Sequence, residues 1–314
     1  MNTMIRTCVA ACVAVAALAA GPAHAEYPSK PVTFVVPWPP GDMEDVLTRM
    51  IADDMQAQTG KPAAVLNKPG GGGGPFPGAA EVAKAAADGH TIGSFVVGVP
   101  LVADKVGIPA LNPNPFEPVG IFLTYPFVIA TGANAPYNSM QELAAHAKTN
   151  KVTLGHFGGP LVPTKVTLAL AKKMGFSYAS DAAFDALDCN TLASGDVDVI
   201  NTTLQLIKPC LDKVKVLAAV TEERLSLVPK APTVKELEPS LGMSLWNGLF
   251  VHKDTPAEAR ARIAALAKAT VLGSKAQQFA KDTGAQVYWL DAQQSQARID
   301  ADGKTLATIN ATLN

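Results

Sequence analysis

The alternation of strand-like and helix-like segments is the feature that most constrains the fold of this chain. Residues 31–38 read PVTFVVPW, a buried-strand pattern rich in β-branched residues, and an amphipathic helical pattern follows it. Two further strand patterns, PAAVLNKPG at 62–70 and HTIGSFVVG at 90–98, flank an alanine-rich helical segment that ends at Gly89. The order β-α-β-α-β places helices on both faces of a parallel sheet, so the sequence predicts an α/β fold.

A second α/β unit of similar size follows residue 126. Its strand patterns are KVTLG at 151–155, VDVIN at 197–201 and VKVLAAV at 214–220, and Pro163 suits the first turn of a helix. The helical C-terminal part needs a sheet to cover, which favours its return to the first unit. We therefore predict two lobes, each a mostly parallel sheet flanked by helices. Lobe 1 comprises residues 26–125 plus 249–314, and lobe 2 comprises residues 126–248.

The first 25 residues have the pattern of a cleaved secretory signal. Arg6 is their only charged residue, an apolar run spans residues 8–20, and Ala23-His24-Ala25 is a small-residue cleavage site. The apolar run is shorter than the roughly 20 residues that a membrane span requires. An alternative is a lipoprotein signal cleaved before Cys12, but it would leave almost no apolar stretch upstream. We predict an exported protein whose mature chain begins at Glu26.

Charge gives no indication of a polyanionic partner. The formal net charge is −1 at pH 7, and the Lys and Arg residues are scattered along the chain. Proteins that bind nucleic acid or an anionic membrane surface carry a basic excess, so neither partner is expected.

Two cysteines, Cys189 and Cys210, remain after removal of the signal. An oxidising compartment favours a disulfide between them, and the loop of about 20 residues would add roughly 3 kcal/mol in the chain-entropy account. The alternative of two buried thiols stays open at this point.

Motifs for catalysis or cofactor binding are missing from the sequence. The glycine run at residues 70–74 lacks the spacing of a phosphate-binding loop, and neither H-E-x-x-H nor G-x-S-x-G occurs. The run is either a flexible linker or a turn whose bare amides approach a small ligand. His156 lies in the glycine-rich stretch GHFGGP after a strand, where it could contact a ligand. We predict a protein without cofactor or metal that is not an enzyme.

Several segments occur in the order typical of one family. They are YPSKPVTFVVPWPPG, with Asp45 four residues later, then NKPGGGG, AAADGHTIG, GDVDV, ERLSLVPKAPTVKEL and WNGLFVHKDTPAE. Each motif alone is weak, but the ordered set resembles the exported solute-binding receptors of tripartite tricarboxylate transporters, also called Bug receptors. The resemblance covers essentially the whole mature chain.

This resemblance implies a two-lobed periplasmic-binding-protein fold of type II-like topology. It implies a monomeric periplasmic receptor that captures a small organic solute, mostly a carboxylate, in the interlobe cleft. The receptor would deliver that solute to the integral membrane permease subunits. In such receptors the backbone amides of two loops hold the carboxylate. The corresponding loops here are residues 39–45 and 155–164.

The resemblance and the strand-end positions together give a set of candidate ligand-binding residues. In the second loop Pro160 stands where the family has a glycine, Leu161 where it often has a serine, and Thr164 where it often has a histidine. The predicted ligand-binding residues are Trp38, Pro39, Gly41, Asp42, Met43, Asp45, Gly73, Val97, His156, Phe157, Gly158, Leu161, Thr164, Phe184, Thr202 and Trp246.

The first loop leads into a helix through PWPPGDMEDVL, which places three carboxylates at an anion-attracting helix N-terminus. Asp42 and Glu44 could simply complement the helix dipole, for about 0.3–1 kcal/mol each. If they face the cleft, they disfavour a second carboxylate and favour a ligand with a hydroxyl, amide or ammonium group, or with fewer charges. The apolar second loop favours a ligand with an apolar or aromatic body over citrate.

Two other functions remain open from the sequence. One is an exported hydrolase, which turnover of a candidate ester or amide would reveal. The other is a receptor that serves a sensor kinase instead of a transporter, because both uses present the same closed lobes to a partner.

Overall fold

A computed structural model gives the fold and describes residues 26–70, 74–184 and 186–314. The predicted signal segment at residues 1–25 and the predicted ligand contact at Gly73 lie outside these residues. Two β-sheets, one in each lobe, organise the described part of the chain.

The first sheet takes strands from both ends of the chain. Its strands are β1 (Val32–Val36), β2 (Ala63–Asn67), β3 (Thr91–Val96), β4 (Phe116–Thr124), β10 (Trp246–His252) and β11 (Gln286–Leu290). They lie in the order β11-β4-β10-β3-β1-β2. The β1 strand runs parallel to β2 and β3, whereas β10 is antiparallel to β3 and β4, and β11 is antiparallel to β4.

The second sheet is built from the middle of the chain. Its strands are β5 (Phe127–Gly132), β6 (Thr153–His156), β7 (Ser180–Ala183), β8 (Val199–Thr203) and β9 (Val214–Ala219), in the order β7-β6-β8-β5-β9. The β6 strand runs parallel to β7 and β8, and β5 is antiparallel to β8 and β9. The two-lobed α/β prediction is confirmed. The sheets are mixed rather than mostly parallel, because the strands next to each crossing run antiparallel to their neighbours.

Helices cover the two sheets. They are α1 (Met43–Thr59), α2 (Phe76–Lys84), α3 (Gly98–Val102), α4 (Met140–His146), α5 (Val162–Lys173), α6 (Cys189–Ser194), α7 (Leu204–Ile207), α8 (Val234–Leu237), α9 (Ala257–Val271), α10 (Ser274–Thr283) and α11 (Ala292–Leu313). None of these described helices combines the length and the apolar composition that crossing a membrane requires.

The sequence patterns did not reveal β4 and β7. Pro118 and Gly120 interrupt the apolar run of β4, and residues of both types are uncommon inside strands. The four residues of β7 are all exposed, so this edge strand has no apolar face for a pattern to detect. Both strands form through pairing with neighbours that are distant in sequence.

The chain crosses between the lobes at two segments that lie side by side. The first crossing joins β4 to β5 through Tyr125, whose backbone N–H donates to the Leu245 carbonyl at 2.8 Å. The second crossing leads into β10, which pairs with β4. Their first pair is Trp246 with Thr124. Pairing with the first sheet therefore begins at residue 246, three residues before the predicted return at 249.

The C-terminal helix α11 contacts both lobes. In lobe 1, Ser295 Oγ accepts a hydrogen bond from the Ile121 backbone N–H at 3.0 Å. In lobe 2, Lys165 Nζ on α5 donates to Asn310 Oδ1 at 3.2 Å. Residues 249–314 were all predicted in lobe 1, but this helix spans the crossing and packs against β4 of lobe 1 and α5 of lobe 2.

The predicted disulfide is present between Cys189 and Cys210, whose Cα atoms lie 6.0 Å apart. It joins the start of α6 to the segment after α7, at the edge of a small apolar cluster that includes Leu187, Ile200 and Leu204. The disulfide therefore links two segments that both pack against this cluster in lobe 2.

A buried polar network anchors α11 beside the second crossing. Trp246 Nε1 donates to Asp302 Oδ2 at 2.6 Å, and Arg298 Nε donates to the same oxygen at 2.8 Å. Arg298 also reaches Glu222 Oε2 of lobe 2 at 2.9 Å. Burial raises the pKa of Asp302, although the Arg298 charge and the hydrogen bonds from Trp246 and Arg298 oppose this rise. Removal of Asp302 would leave the Trp246 indole N–H without its acceptor and the Arg298 guanidinium with Glu222 as its remaining carboxylate partner.

We predict that Asp302→Ala lowers the free energy of unfolding by about 3 kcal/mol, because it breaks a buried charge pair. Chemical denaturation measures this change. Asp300→Ala is the matched control, because Asp300 is exposed on the same helix, and it should change stability by less than about 0.5 kcal/mol. Equal effects of the two substitutions would contradict a structural role for the Asp302 network.

Candidate functional site

The carboxyl ends of parallel strands from both sheets lie at the crossing between the lobes. The loop at residues 37–42, called here the first loop, joins β1 to α1. The loop at residues 157–161, called the second loop, joins β6 to α5. Gly74 of lobe 1 lies opposite the second loop, since a Cβ atom placed there would be 3.8 Å from Leu161 Cδ2. The ends of the two sheets therefore face one cleft, where ligands of open α/β sheets bind.

Asp45 ties the first loop to the helix that follows it. Its Oδ2 accepts the Gly41 backbone N–H at 2.8 Å and Arg49 Nε at 3.0 Å. Its Oδ1 accepts Arg49 Nη2 at 2.9 Å and Asn67 Nδ2 at 2.8 Å. Asn67 Nδ2 also donates to the Trp38 carbonyl at 3.0 Å, which fixes the start of the loop. Asp45 thus acts within lobe 1 as an anchor for the predicted binding loop.

The ionisation of Asp45 follows from these contacts. Burial alone would raise its pKa, but the hydrogen bonds from Arg49, Gly41 and Asn67, with the Arg49 charge, lower the pKa below its ordinary value. Gly41 has a φ of +94°, a backbone conformation that L side chains rarely adopt, so a glycine is needed where the loop turns back to this carboxylate.

Glu44, in contrast, is buried without a cation. It is 4% exposed in the first turn of α1. Burial, together with the charge of Asp42, raises the pKa of Glu44 to about 8, although hydrogen bonds from its own backbone N–H and from the Tyr125 hydroxyl favour the ionised form. Glu44 is therefore mainly a neutral carboxylic acid at pH 7. The three carboxylates of this segment have three different environments.

The other predicted residues of the first loop and of the start of α1 differ in exposure. Pro39, Gly41 and Asp42 are exposed, whereas Met43 is buried in the core. Partial burial and the Asp45 charge raise the pKa of Asp42. Trp38 is half-buried, and its Nε1 has no hydrogen-bond partner among the described residues. This N–H is a donor available near the loop.

Beneath the first loop a polar chain extends across the floor of lobe 1. The Tyr125 hydroxyl oxygen lies 3.4 Å from Asn247 Oδ1, and Asn247 Nδ2 donates to Ser94 Oγ at 2.7 Å. Ser94 Oγ lies 2.8 Å from Thr48 Oγ1 on α1. These contacts link the crossing segment to α1, the helix that follows the first loop.

The second loop presents the start of α5. Thr164 is fully buried, and its Oγ1 donates to the Gly158 carbonyl at 2.7 Å, which holds the loop against the helix. Leu161 is the N-cap residue, and no side chain in the described residues caps this helix. The backbone amides of the first turn are thus donors that attract an anion.

Aromatic side chains line the route from the crossing to the second loop. The ring centroids of Tyr125 and Phe127 are 6.1 Å apart, and those of Phe127 and Phe157 are 6.2 Å apart. The backbone N–H of Phe184 donates to the His156 carbonyl at 2.9 Å, which places Phe184 beside the end of β6. These rings offer an apolar wall next to the polar loop backbones.

The remaining predicted residues are buried and already have internal partners. Thr202 Oγ1 donates to the Leu187 carbonyl at 2.6 Å. Val97 belongs to the lobe 1 core, and its N–H donates to the Trp246 carbonyl at 2.9 Å. Trp246 is fully buried and stacks on Phe250 at a centroid distance of 6.4 Å. The structure gives Thr202, Val97 and Trp246 packing roles at the margins of the cleft.

Three residues near the cleft were missing from the predicted set. Glu44 and Tyr125 interact at the crossing, and Asn201 is a fully buried amide on β8. The sequence carried a signal for Asn201, because it is a polar residue inside the apolar strand pattern VDVIN. Tyr125 had no such signal, since its role depends on how the two crossing segments pack.

A second depression of about 460 Å³ lies at the other end of lobe 1. It is lined by the start of β4, whereas the end of β4 meets the crossing, so it is separate from the interlobe cleft. Its polar lining consists of Glu117, Arg260, Asp291 and Gln296. Among the described residues, no group of three or more His, Cys, Asp or Glu side chains is placed to hold a metal ion.

We predict that Glu44→Gln changes the pH dependence of stability. The folded pKa is about 8 and the ordinary value is 4.5, so the stabilising contribution of protonated Glu44 is complete below about pH 4.5 and is lost as the pH rises through 8. Relative to the wild type, the variant should therefore gain stability from pH 5 to pH 8, by at most about 1.4 kcal/mol per pH unit.

Denaturant unfolding at pH 5, 6.5 and 8 measures this effect. Glu258→Gln is the control, because Glu258 is exposed on α9, and its stability should follow the wild type throughout. A Glu44→Gln difference that stays constant across the pH range would contradict the buried neutral state of Glu44.

Comparisons with known proteins agree with this geometry. Residues 47–312 match the family described as the tripartite tricarboxylate transporter family receptor. A relative from Agrobacterium vitis, encoded in the TAR-I ttuE-ttuC' intergenic region, is 31% identical over 263 residues, which are 77% of this chain and 71% of the relative.

Two solved structures share the fold. An R. palustris protein with adipate has a TM-score of 0.78 at 22% identity, and the match covers 91% of this chain and 98% of that one. MatC from Rhodopseudomonas palustris with bound malate has a TM-score of 0.72 at 24% identity, covering 92% and 100%. The family match spans most of the chain, and so this protein belongs to the tripartite tricarboxylate transporter receptor family, whose members are solute-binding receptors rather than enzymes.

Proposed function

We propose that this chain is a periplasmic receptor that captures a small organic acid between its lobes and delivers it to the membrane subunits of a tripartite tricarboxylate transporter. Family membership establishes the solute-binding role. The ligand class, the permease partners, the periplasmic location and the monomeric state are parts of the proposal.

The observation that carries this proposal is the pair of helix starts at the cleft. The first turns of α1 and α5 follow the first and second loops, and neither N-cap residue, Asp42 or Leu161, caps its helix with a side-chain hydrogen bond. Unpaired backbone N–H groups and the positive end of the helix dipole favour an anionic ligand group. Arg49 is paired with Asp45, so the backbone donors rather than this guanidinium are available for a carboxylate.

The rest of the cleft limits what kind of acid fits. The charge of Asp42 disfavours further negative charge on the lobe 1 side, whereas neutral Glu44 adds none, and Phe157 and Phe184 supply apolar surface on the lobe 2 side. A small carboxylate with an apolar body satisfies both requirements. Adipate and malate, named with the two structural neighbours, are small dicarboxylates, and the adipate carboxylates are joined by an apolar body.

Ligand capture would work through closure of the lobes. A ligand that contacts loops from both lobes binds the closed form more tightly than the open form, and it shifts the population toward closure. Tyr125 and Leu245 lie in the crossing segments, where a hinge would move. The closed surface would then be recognised by the membrane subunits.

A thermal-shift screen of mono- and dicarboxylates, starting with adipate and malate, tests the ligand class. A ligand at 100 times its Kd should stabilise the protein by about 2.7 kcal/mol. Small-angle scattering should show a more compact particle with the same ligand. If no carboxylate stabilises the protein while a neutral or cationic solute does, the proposed ligand class is wrong.

We predict that Asp45→Ala leaves the protein folded but weakens binding of the best acid from that screen by about tenfold, or 1.4 kcal/mol. The reason is that the Gly41 amide and Asn67 lose their acceptor, and the first loop is no longer held in place. Isothermal titration calorimetry measures the affinity. Asp53→Ala, an exposed change on the same helix, should bind like the wild type, and an unchanged Kd for Asp45→Ala would remove Asp45 from the site.

A further inference from the structure

Asn201 is a fully buried amide without a partner. It lies on β8 in the middle of the second sheet, opposite Ile129 of β5. Neither its Nδ2 nor its Oδ1 forms a hydrogen bond with any described residue. Buried side-chain amides are nearly always hydrogen-bonded, because an unpaired donor or acceptor loses its water without compensation. Two orphaned atoms on one side chain therefore indicate a partner that is not part of the described chain.

His156 lies beside Asn201 and has an orphaned atom of its own. The parallel register pairs Gly155 with Ile200, so His156 on β6 is next to Asn201 on β8. Because strand side chains alternate between faces, these two side chains lie on the same face of the sheet. His156 is 3% exposed, and its Nδ1 has no partner among the described residues.

The contact with Asp181 fixes the role of each nitrogen of His156. Nε2 lies 2.7 Å from Asp181 Oδ2 on β7, and an ionised carboxylate only accepts hydrogen bonds. Nε2 therefore carries a proton, and in the neutral tautomer with that proton Nδ1 is a lone-pair acceptor. The pair then offers one donor group, Asn201 Nδ2, and two acceptors, Asn201 Oδ1 and His156 Nδ1.

A primary carboxamide complements this set. Its carbonyl oxygen accepts from Asn201 Nδ2, and its two N–H bonds donate to Asn201 Oδ1 and His156 Nδ1. A carboxylate satisfies only the Asn201 donor and places its lone pairs against both acceptors. The charged group that hydrogen-bonds to the pair in the described residues is Asp181, an anion, which opposes a second negative charge.

The position of the pair connects it to the binding cleft. His156 is the last residue of β6, and the second loop and the start of α5 follow it. A ligand carboxylate at the α5 amides and a neutral group at the base of the loop would occupy neighbouring subsites. We propose that Asn201 and His156 form a subsite for a carboxamide, so that the preferred solute is a small carboxylate that also carries an amide.

This inference rests on the proposed capture of an organic acid, and the test separates the two. Isothermal titration calorimetry compares two matched probe pairs at pH 8: adipate with adipamate, its monoamide, and succinate with succinamate. The wild type should bind the amide of at least one pair about tenfold or more tightly than the matched diacid, because the diacid leaves two buried acceptors facing a carboxylate.

Asn201→Leu should remove this preference while the protein remains folded, since an apolar side chain of similar shape replaces an unpaired amide. Asn201→Ala is the second variant if leucine is not accommodated. Asn190→Leu is the control, because Asn190 is exposed on α6 of the same lobe, and it should keep the wild-type preference.

The outcomes discriminate between the two levels of the proposal. Equal or tighter binding of the diacids overturns the carboxamide subsite and leaves the organic-acid receptor intact. An amide preference that survives Asn201→Leu or Asn201→Ala also overturns the subsite, because water would then be the partner of Asn201. If none of the four probes binds, and no other acid in the thermal-shift screen does, both proposals fall.

Discussion

The side-by-side crossing of the chain between β4–β5 and β9–β10 is the constraint on which the rest of this structure depends. The hydrogen bond from the Tyr125 N–H to the Leu245 carbonyl and the pairing of Trp246 with Thr124 hold both crossing segments together. Because of this pairing, the carboxyl ends of β1 and β6 point toward one cleft rather than toward separate surfaces. The same pairing makes both sheets mixed, and it gives α11 a surface that extends over both lobes.

Local electrostatics then give similar residues different functions. Asp45 is ionised because Arg49, Gly41 and Asn67 hydrogen-bond its carboxylate. Glu44, one residue earlier, is neutral because it is buried without a cation and lies near the Asp42 charge. Asp45 therefore supports the loop as a carboxylate, whereas Glu44 adds no negative charge to the cleft at pH 7. In lobe 2, Asp181 orients His156 in the same indirect way, by fixing which nitrogen carries the proton.

Sequence reasoning identified the α/β elements with regular apolar patterns, the two lobes, the disulfide and the receptor family. It did not identify β4, in which Pro118 and Gly120 interrupt the pattern, or β7, which is exposed and four residues long. The candidate site also has a part that the sequence predicted and a part that it did not. The two loops could be located because they follow predicted strands, but the partners of Asp45, the burial of Glu44 and the neighbouring positions of His156 and Asn201 depend on contacts between distant segments.

The sequence by itself determined the elements with regular apolar patterns and their order, because strand and helix periodicities and proline and glycine positions are local properties of the chain. Tertiary structure alone decided which side chains are available to a ligand. Thr202 and Trp246 use their polar atoms internally, whereas Asn201 in the neighbouring position does not. The physical reason is that hydrogen-bond satisfaction and desolvation depend on neighbours brought together by folding, and residue type and spacing contain no record of those neighbours.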